Sequence, residues 1–152
     1  MGFDDFKQLV DNMQINLYLT DIQTNEIIFM KEDLIIEWFQ SWFDSHWNNF
    51  EVIFESDAYY SESWGPEYKG IIEIKKWFND WHEHFKLDKW EIKQFIHTNK
   101  HSIVEWHFSC IDLDGVHEFD GISLIEWSPN GLIKSLKEFG SSLPKYDPFE
   151  QL

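Results

Sequence analysis

Phe54-Glu55-Ser56-Asp57-Ala58-Tyr59-Tyr60-Ser61-Glu62-Ser63-Trp64-Gly65-Pro66-Glu67-Tyr68-Lys69-Gly70 is the stretch on which the reading of this chain turns. A helical pattern ends before it and another begins after it. Between them stand a short aromatic strand at Tyr59–Ser63, a carboxylate at Glu62, a Gly65-Pro66 turn and Gly70. Pro fixes φ and Gly frees it, which marks the turn. Tyr60, Glu62 and Tyr68 set polar groups among large rings. That mixture fits the wall of a small-molecule pocket, mostly apolar with a few placed polar groups. It fits equally a strand edge with its polar residues in water.

Upstream, Leu34, Ile35, Trp38, Phe39, Trp42 and Phe43 recur on one broad face and predict a helix from Glu32. His46 to Asn49 break that pattern, and Phe50, Val52, Ile53 and Phe54 form a second short helical or turn-like apolar cluster. Downstream, Ile71, Ile74, Trp77, Phe78, Trp81 and Phe85 predict a second amphipathic helix. His82 and His84 lie on it two residues apart, hence on different faces, which argues against a shared metal site.

From Leu87 the period becomes two. Trp90, Ile92 and Ile96 alternate with Glu91 and Lys93. In the next strand Val104, Trp106, Phe108 and Cys110 share one face, and Glu105, His107 and Ser109 the other; either face can be the inner one. Asp112-Leu113-Asp114-Gly115 predicts a hairpin turn. Val116–Trp127 reads as a long strand, Ser128-Pro129-Asn130-Gly131 as a turn, and Leu132–Phe139 as the last strand. Helices followed by antiparallel strands give an α+β domain.

Residues 1–30 differ in texture and contain no Trp. Phe3, Phe6, Leu9, Val10 and Met13 have helical spacing. Ile15–Leu19 and Glu26–Met30 read as two strands around an Asp21–Asn25 turn. The expected organisation is an N-terminal extension at 1–31, a main domain at 32–143 and an irregular tail at 144–152.

The 152 residues carry 12 Lys+Arg against 28 Asp+Glu, a net charge of -16. A nucleic-acid partner needs a basic patch, and an anionic membrane surface needs one too; the composition supplies neither. Nine Trp, 14 Phe and 5 Tyr provide a large aromatic core, worth roughly 2–3 kcal/mol per fully buried ring. The single Cys110 excludes an internal disulfide and reads as a small core residue, which fits a reducing, cytoplasmic location. No long uncharged apolar run is present.

The order helix, helix, short strand, helix, long meander resembles the NTF2-like cone fold, and its SnoaL-like group in particular. The residues that carry the likeness are Ile53–Ala58, Gly65–Gly70, Val104-Glu105-Trp106, Phe119-Asp120-Gly121 and Asn130–Ile133, spanning about 32–140. The likeness implies a curved, mostly antiparallel sheet wrapped around N-terminal helices, leaving a conical cavity for a small apolar or aromatic ligand. It also implies a homodimer through the outer sheet face. The fold hosts isomerases, cyclases, hydrolases and binding modules, so activity must be argued from the site.

In ketosteroid isomerase-like enzymes a helix tyrosine and a neutral carboxylic acid make an oxyanion hole opposite a carboxylate base. By alignment Trp38 takes the tyrosine slot, Glu62 the base slot and Ser123 the acid slot, so only the base matches in type. The resemblance implies Glu62 as general base for proton transfer of the isomerase or cyclase kind, without cofactor or metal. Ligand contacts are then expected from Trp38, Tyr60, Trp64, Trp106, Asp120, Ser123 and Glu138. Asp120 and Ser123 compete for the inner face, because Gly121 invites a bulge that flips parity. The alternative is a non-catalytic ligand-binding or dimerisation module of the same fold. Separately, Tyr18-Leu19-Thr20-Asp21 with Thr24-Asn25-Glu26-Ile27 resembles the opening of a PAS sensor domain. That segment is too short for a PAS core and implies no sensory activity.

Overall fold

The computed structural model describes residues 2–150, and over 16–20 the backbone alone. The chain divides into two compact units, Met1–Ile35 and Ile36–Leu152. The elements are α1 (Phe3–Ser41), a 3-10 turn at Phe50–Val52, β1 (Phe54–Glu62), β2 (Glu67–Lys69), α2 (Gly70–His84), β3 (Lys86–His97), β4 (His101–Asp112), β5 (Gly115–Trp127) and β6 (Ile133–Ser142). Among the described residues no helix is long and apolar enough to cross a membrane.

The first unit corrects the expected helix-hairpin. Residues 15–30 are helical throughout, part of α1. Neither Gly nor Pro interrupts Phe3–Ser41; Asp21 and Asn25 suit a turn, but each costs a helix well under about 1 kcal/mol. A two-stranded hairpin is marginal without a third strand, whereas a helix satisfies its backbone groups internally. The strand pairing implied by the PAS-like motif is therefore absent, and the side chains of its Tyr18-Leu19-Thr20 part lie outside the described residues.

The second unit is one six-stranded sheet in the order β2-β1-β6-β5-β4-β3. β1 and β6 run parallel; every other pair is antiparallel. The α+β cone expected from the sequence is present. Trp38 is fully buried in its core, edge-on to Phe54 at 4.8 Å and to Trp42 at 5.3 Å. At the foot of α2 the Glu73 carboxylate accepts the Lys69 backbone N–H at 2.6 Å, where the helix dipole also favours negative charge. His82 Nε2 donates to the Trp42 carbonyl at 2.8 Å, tying α2 to the chain leaving α1.

Register settles which faces look inward. On β4 the inner set is Val104, Trp106, Phe108 and Cys110, opposite Ser123, Gly121, Phe119 and His117 on β5. β3 departs from simple alternation. Bulges between Leu87 and Lys89 and between Ile92 and Gln94 each insert a residue. Leu87 and Trp90 are thereby both buried, while Ile96 turns out to solvent and Phe95 turns in. The Asp112–Gly115 hairpin forms as expected, with Asp112 Oδ1 accepting the backbone N–H groups of Asp114 at 2.8 Å and Gly115 at 3.2 Å.

The bulge expected at Gly121 is not there; β5 runs in unbroken register with β4 and β6 across it. The glycine serves space instead. A Cβ at 121 would stand 2.5 Å from the Phe139 carbonyl oxygen and 2.5 Å from the Trp106 indole. Gly121→Ala should therefore lower stability by about 1–3 kcal/mol, as overpacking does. Urea unfolding with an unchanged m-value would measure it; a variant as stable as the parent contradicts this packing.

Candidate functional site

The inner sheet face, α2 and Trp42, just past α1, line a partly open cavity of about 460 Å³. Its helix side carries Trp42, Trp77, Trp81 and Phe85; its sheet side carries Trp90, Trp106, Phe108 and Phe119. Trp64 stands at one edge, half exposed. Polar groups are few: Glu62 and Glu138 at one end, Asp112 and His117 at the other, and the Cys110 thiol between the walls.

Glu62 and Glu138 are direct partners across the parallel β1–β6 ladder, so their Cα atoms lie about 4.8 Å apart and both side chains enter the cavity. Each is held by a tyrosine. The Tyr68 hydroxyl donates to Glu62 Oε1 at 2.7 Å. The Tyr60 hydroxyl donates to Glu138 Oε1 in a short bond and accepts from Trp38 Nε1 at 3.3 Å. Tyr68 is itself stacked on Trp77 with 4.4 Å between ring centroids. Lys69, a conceivable partner for Glu62, pairs with Glu67 at 3.3 Å. Glu138 is only 5% exposed, and the buried side-chain polar atoms without a partner among the described residues are two donors on the cavity-lining rings, Trp42 Nε1 and Trp90 Nε1.

Burial dominates the electrostatics. Desolvation pushes the Glu138 carboxyl up to about 8; the Tyr60 hydrogen bond opposes this and the charge of Glu62 adds to it. Glu62 is also raised by desolvation, against the pull of its bonds to Tyr68 and Trp64. The phenols of Tyr60 and Tyr68 are raised by desolvation and by the neighbouring carboxylates, so both stay protonated. The Cys110 thiol is pushed up to about 11 by burial and by Asp112, which leaves it a poor nucleophile at neutral pH. At the far end His117 Nε2 lies 2.9 Å from Asp112 Oδ1.

The candidates read from the sequence separate as follows. Glu62, Trp64, Trp106 and Glu138 line the cavity. Trp38 and Tyr60 sit behind its wall, fully buried, and reach it through Glu138. Ser123 faces inward but is fully buried, accepting from Trp106 Nε1 at 2.9 Å, so it orients the indole. Asp120 is on the outer face: it lies 2.8 Å from His107 Nδ1 and 3.4 Å from Lys93 Nζ. With no bulge at Gly121 its parity never flips, which removes it from the cavity.

The carboxyl beside Glu62 stands on β6, at Glu138, while Ser123 on β5 bonds the Trp106 indole. Trp77, Trp81 and Phe119, which the sequence offered as core, are cavity wall. Their signal was present in the i, i+4 pair on α2, but aromatic spacing does not distinguish a filled core from an open one. The Asp112–His117 pair was hidden by the hairpin turn, which reads as backbone chemistry alone. Among the described residues no cluster of three or more His, Cys, Asp or Glu has the arrangement of a metal site.

No family model matches the chain, and no curated protein matches it. Solved structures do. An LEH-like epoxide hydrolase of M. tuberculosis matches with TM-score 0.66 and 9% identity over 74% of this chain and 84% of that one. A protein described as a SnoaL-like polyketide cyclase from Jannaschia sp. CCS1 gives 0.62 and 7% over 74% and 86%. A ketosteroid isomerase-like fold from Catenulispora acidiphila, in complex with trimethylamine, gives 0.60 and 14% over 70% and 83%. Identities this low speak for architecture alone. In fold and sheet topology the chain is similar to solved NTF2-like, SnoaL-like and ketosteroid isomerase-like structures.

Proposed function

We propose that the cavity binds a small, largely apolar organic molecule and that the Glu62–Glu138 pair moves a proton on it, at a carbon beside a carbonyl. The observation that carries this reading is the pair itself. Two carboxyls stand side by side in a cavity walled by aromatic rings, and burial pushes the deeper one up to about 8. Glu62, the less buried, is the base that removes the proton. Glu138, protonated near neutral pH, donates to the developing enolate oxygen. Tyr60 and Trp38 stay behind it and fix its position. Two carboxyls tuned apart by their surroundings are suited to acid–base work. No cofactor or metal is required for such a step.

The test is hydrogen–deuterium exchange at the α-carbon of a panel of ketones, thioesters and β-dicarbonyl compounds, followed by NMR in D2O. Protein-dependent exchange on at least one compound that binds in the cavity is the expected result. Tight binding across the panel with no exchange on any member leaves a ligand-binding module instead.

The outer sheet face supports pairing of two copies. Ile122 stands opposite Phe139, and Leu124 opposite Ile103, forming an apolar patch that is half buried to exposed. A homodimer through this patch should appear by light scattering at micromolar concentration and be split by Leu124→Lys. A monomeric parent protein refutes it. The lone buried Cys110 suits a reducing, cytoplasmic setting.

A further inference from the structure

We infer that the ligand carries, besides the carbonyl that meets the carboxyl pair, a second neutral oxygen acceptor, itself a carbonyl, which the indole N–H groups of Trp42 and Trp90 bind. The inference rests on the cavity being the binding site and narrows its ligand to a molecule with two separated carbonyl groups. The observation behind it is a pair of donors that the protein leaves without an acceptor. Trp42 and Trp90 line the cavity, are 3% and 7% exposed, and have buried Nε1 atoms with no hydrogen-bond partner among the described residues. A buried N–H without a partner is costly, and an indole can only donate. The fold satisfies its other buried indoles: Trp38 donates to the Tyr60 hydroxyl, Trp106 to Ser123 and Trp127 to Ser102. No such hydroxyl serves the two indoles that share the cavity wall. Their neighbours are rings. Trp81 stands edge-on to Trp42 at 5.1 Å, and Trp106 and Phe108 stand edge-on to Trp90 at 5.8 Å and 5.4 Å. A ring face is a weak substitute for an oxygen.

The two indoles are neighbours, with ring centroids 6.2 Å apart, and a carbonyl oxygen has two lone pairs to offer them. Their place is well away from Glu138. Trp90 pairs through Phe108 and Phe119 to Ser142, three strands across the sheet and four residues along β6 from Glu138. The oxygen at the indoles is therefore a different one from the oxygen that gains charge at Glu138, and a rigid fused-ring diketone has the length to present both. Neutrality follows from the lining. The chain contains no arginine, no lysine lines the cavity, and an anionic oxygen would enter beside carboxyls without a counter-charge. Both nitrogens are sealed within the wall, so the indole edges turn toward the oxygen as it enters.

The experiment compares trans-decalin-2,6-dione with trans-2-decalone, the same skeleton with one carbonyl fewer, by calorimetry and by proton–nitrogen NMR of protein labelled at the tryptophan indole nitrogens. The dione should bind at least as tightly as the mono-ketone, although its second carbonyl is the more costly to dehydrate. Of the nine indole resonances, those of Trp42 and Trp90 should move downfield with the dione and stay in place with the mono-ketone. Trp42→Phe and Trp90→Phe each remove one N–H and should weaken the dione about tenfold, with the mono-ketone within about threefold of the parent. Where a variant does not fold, the resonances are assigned through the rings stacked on these indoles, His82 on Trp42 and Phe39 on Trp90. If the dione binds more weakly than the mono-ketone, or binds without moving those two resonances, the second acceptor is wrong. Exchange at the α-carbon of the mono-ketone would then leave the proton-transfer reading standing. If neither ketone binds, this inference is wrong as well, and exchange on the wider panel of ketones and thioesters decides the proton-transfer reading by itself.

Discussion

Glu62→Gln should abolish proton transfer while leaving ligand affinity within a few-fold of the parent. Glutamine keeps the shape of the side chain and an oxygen for the Tyr68 hydroxyl, which donates to Glu62 Oε1 at 2.7 Å. It cannot accept a proton from carbon. Removing a positioned general base costs about 10²–10⁴ in rate, and that loss should fall on kcat rather than on KM. The pH profile should change as well. In the parent, activity needs Glu62 ionised and Glu138 protonated. Glu62 is raised by desolvation, so the ascending limb lies above the ordinary carboxylate range. Glu138 sits at about 8 and sets the descending limb. The two limbs belong to the coupled pair rather than to either residue alone. In Glu62→Gln the ascending limb should vanish. A variant exchanging protons within threefold of the parent rate would remove Glu62 as the base.

Glu138→Gln should make the protein more stable above pH 8 and leave it nearly unchanged at pH 5. The folded protein holds the Glu138 proton up to about 8, against 4.5 for a free carboxyl. Between those values the native state binds more protons than the unfolded chain, so stability falls as pH rises. The contribution is fully present below about 4.5, declines across the window and is level above about 8. The slope reaches about 1.4 kcal/mol per pH unit, and Glu62, raised by the same burial, adds with the same sign. Glutamine cannot ionise and still accepts from Tyr60. The variant should lose most of the slope and gain on the order of 3 kcal/mol over the parent at pH 9. Urea unfolding at pH 5, 7 and 9 measures both. Parallel curves for parent and variant would mean that Glu138 is ionised and solvated in the native state.

Much of the fold is written in local pattern. The switch from helical to alternating period at Leu87, the Asp112–Gly115 turn and the rings of α2 each place an element within a few residues. The failures have physical causes. On β3, bulges change which residues face inward, and nothing in the alternation of Trp90, Ile92 and Ile96 marks them. In residues 15–30 a dense apolar sequence suits strand and helix alike, and the choice falls to whichever backbone can satisfy itself.

The site was legible in half. Glu62 was found by its place on β1, but its partnership with Glu138 depends on the parallel β1–β6 register, a contact 76 positions apart in number between these two residues. Gly121 misled because a strand glycine marks either a bend or a close approach. Here it is a close approach, to Trp106, and Asp120 stays outside as a result.

The claim under all of this is that two adjacent carboxyls in an aromatic cavity share protons in the neutral range. Carbon-13 NMR titration of protein labelled at the glutamate side-chain carboxyl tests it without knowledge of any substrate. The account predicts one resonance titrating near pH 8, absent from Glu138→Gln, and a second, raised less, absent from Glu62→Gln. If every glutamate carboxyl titrates below pH 5, the pair is solvated and the acid–base reading is contradicted.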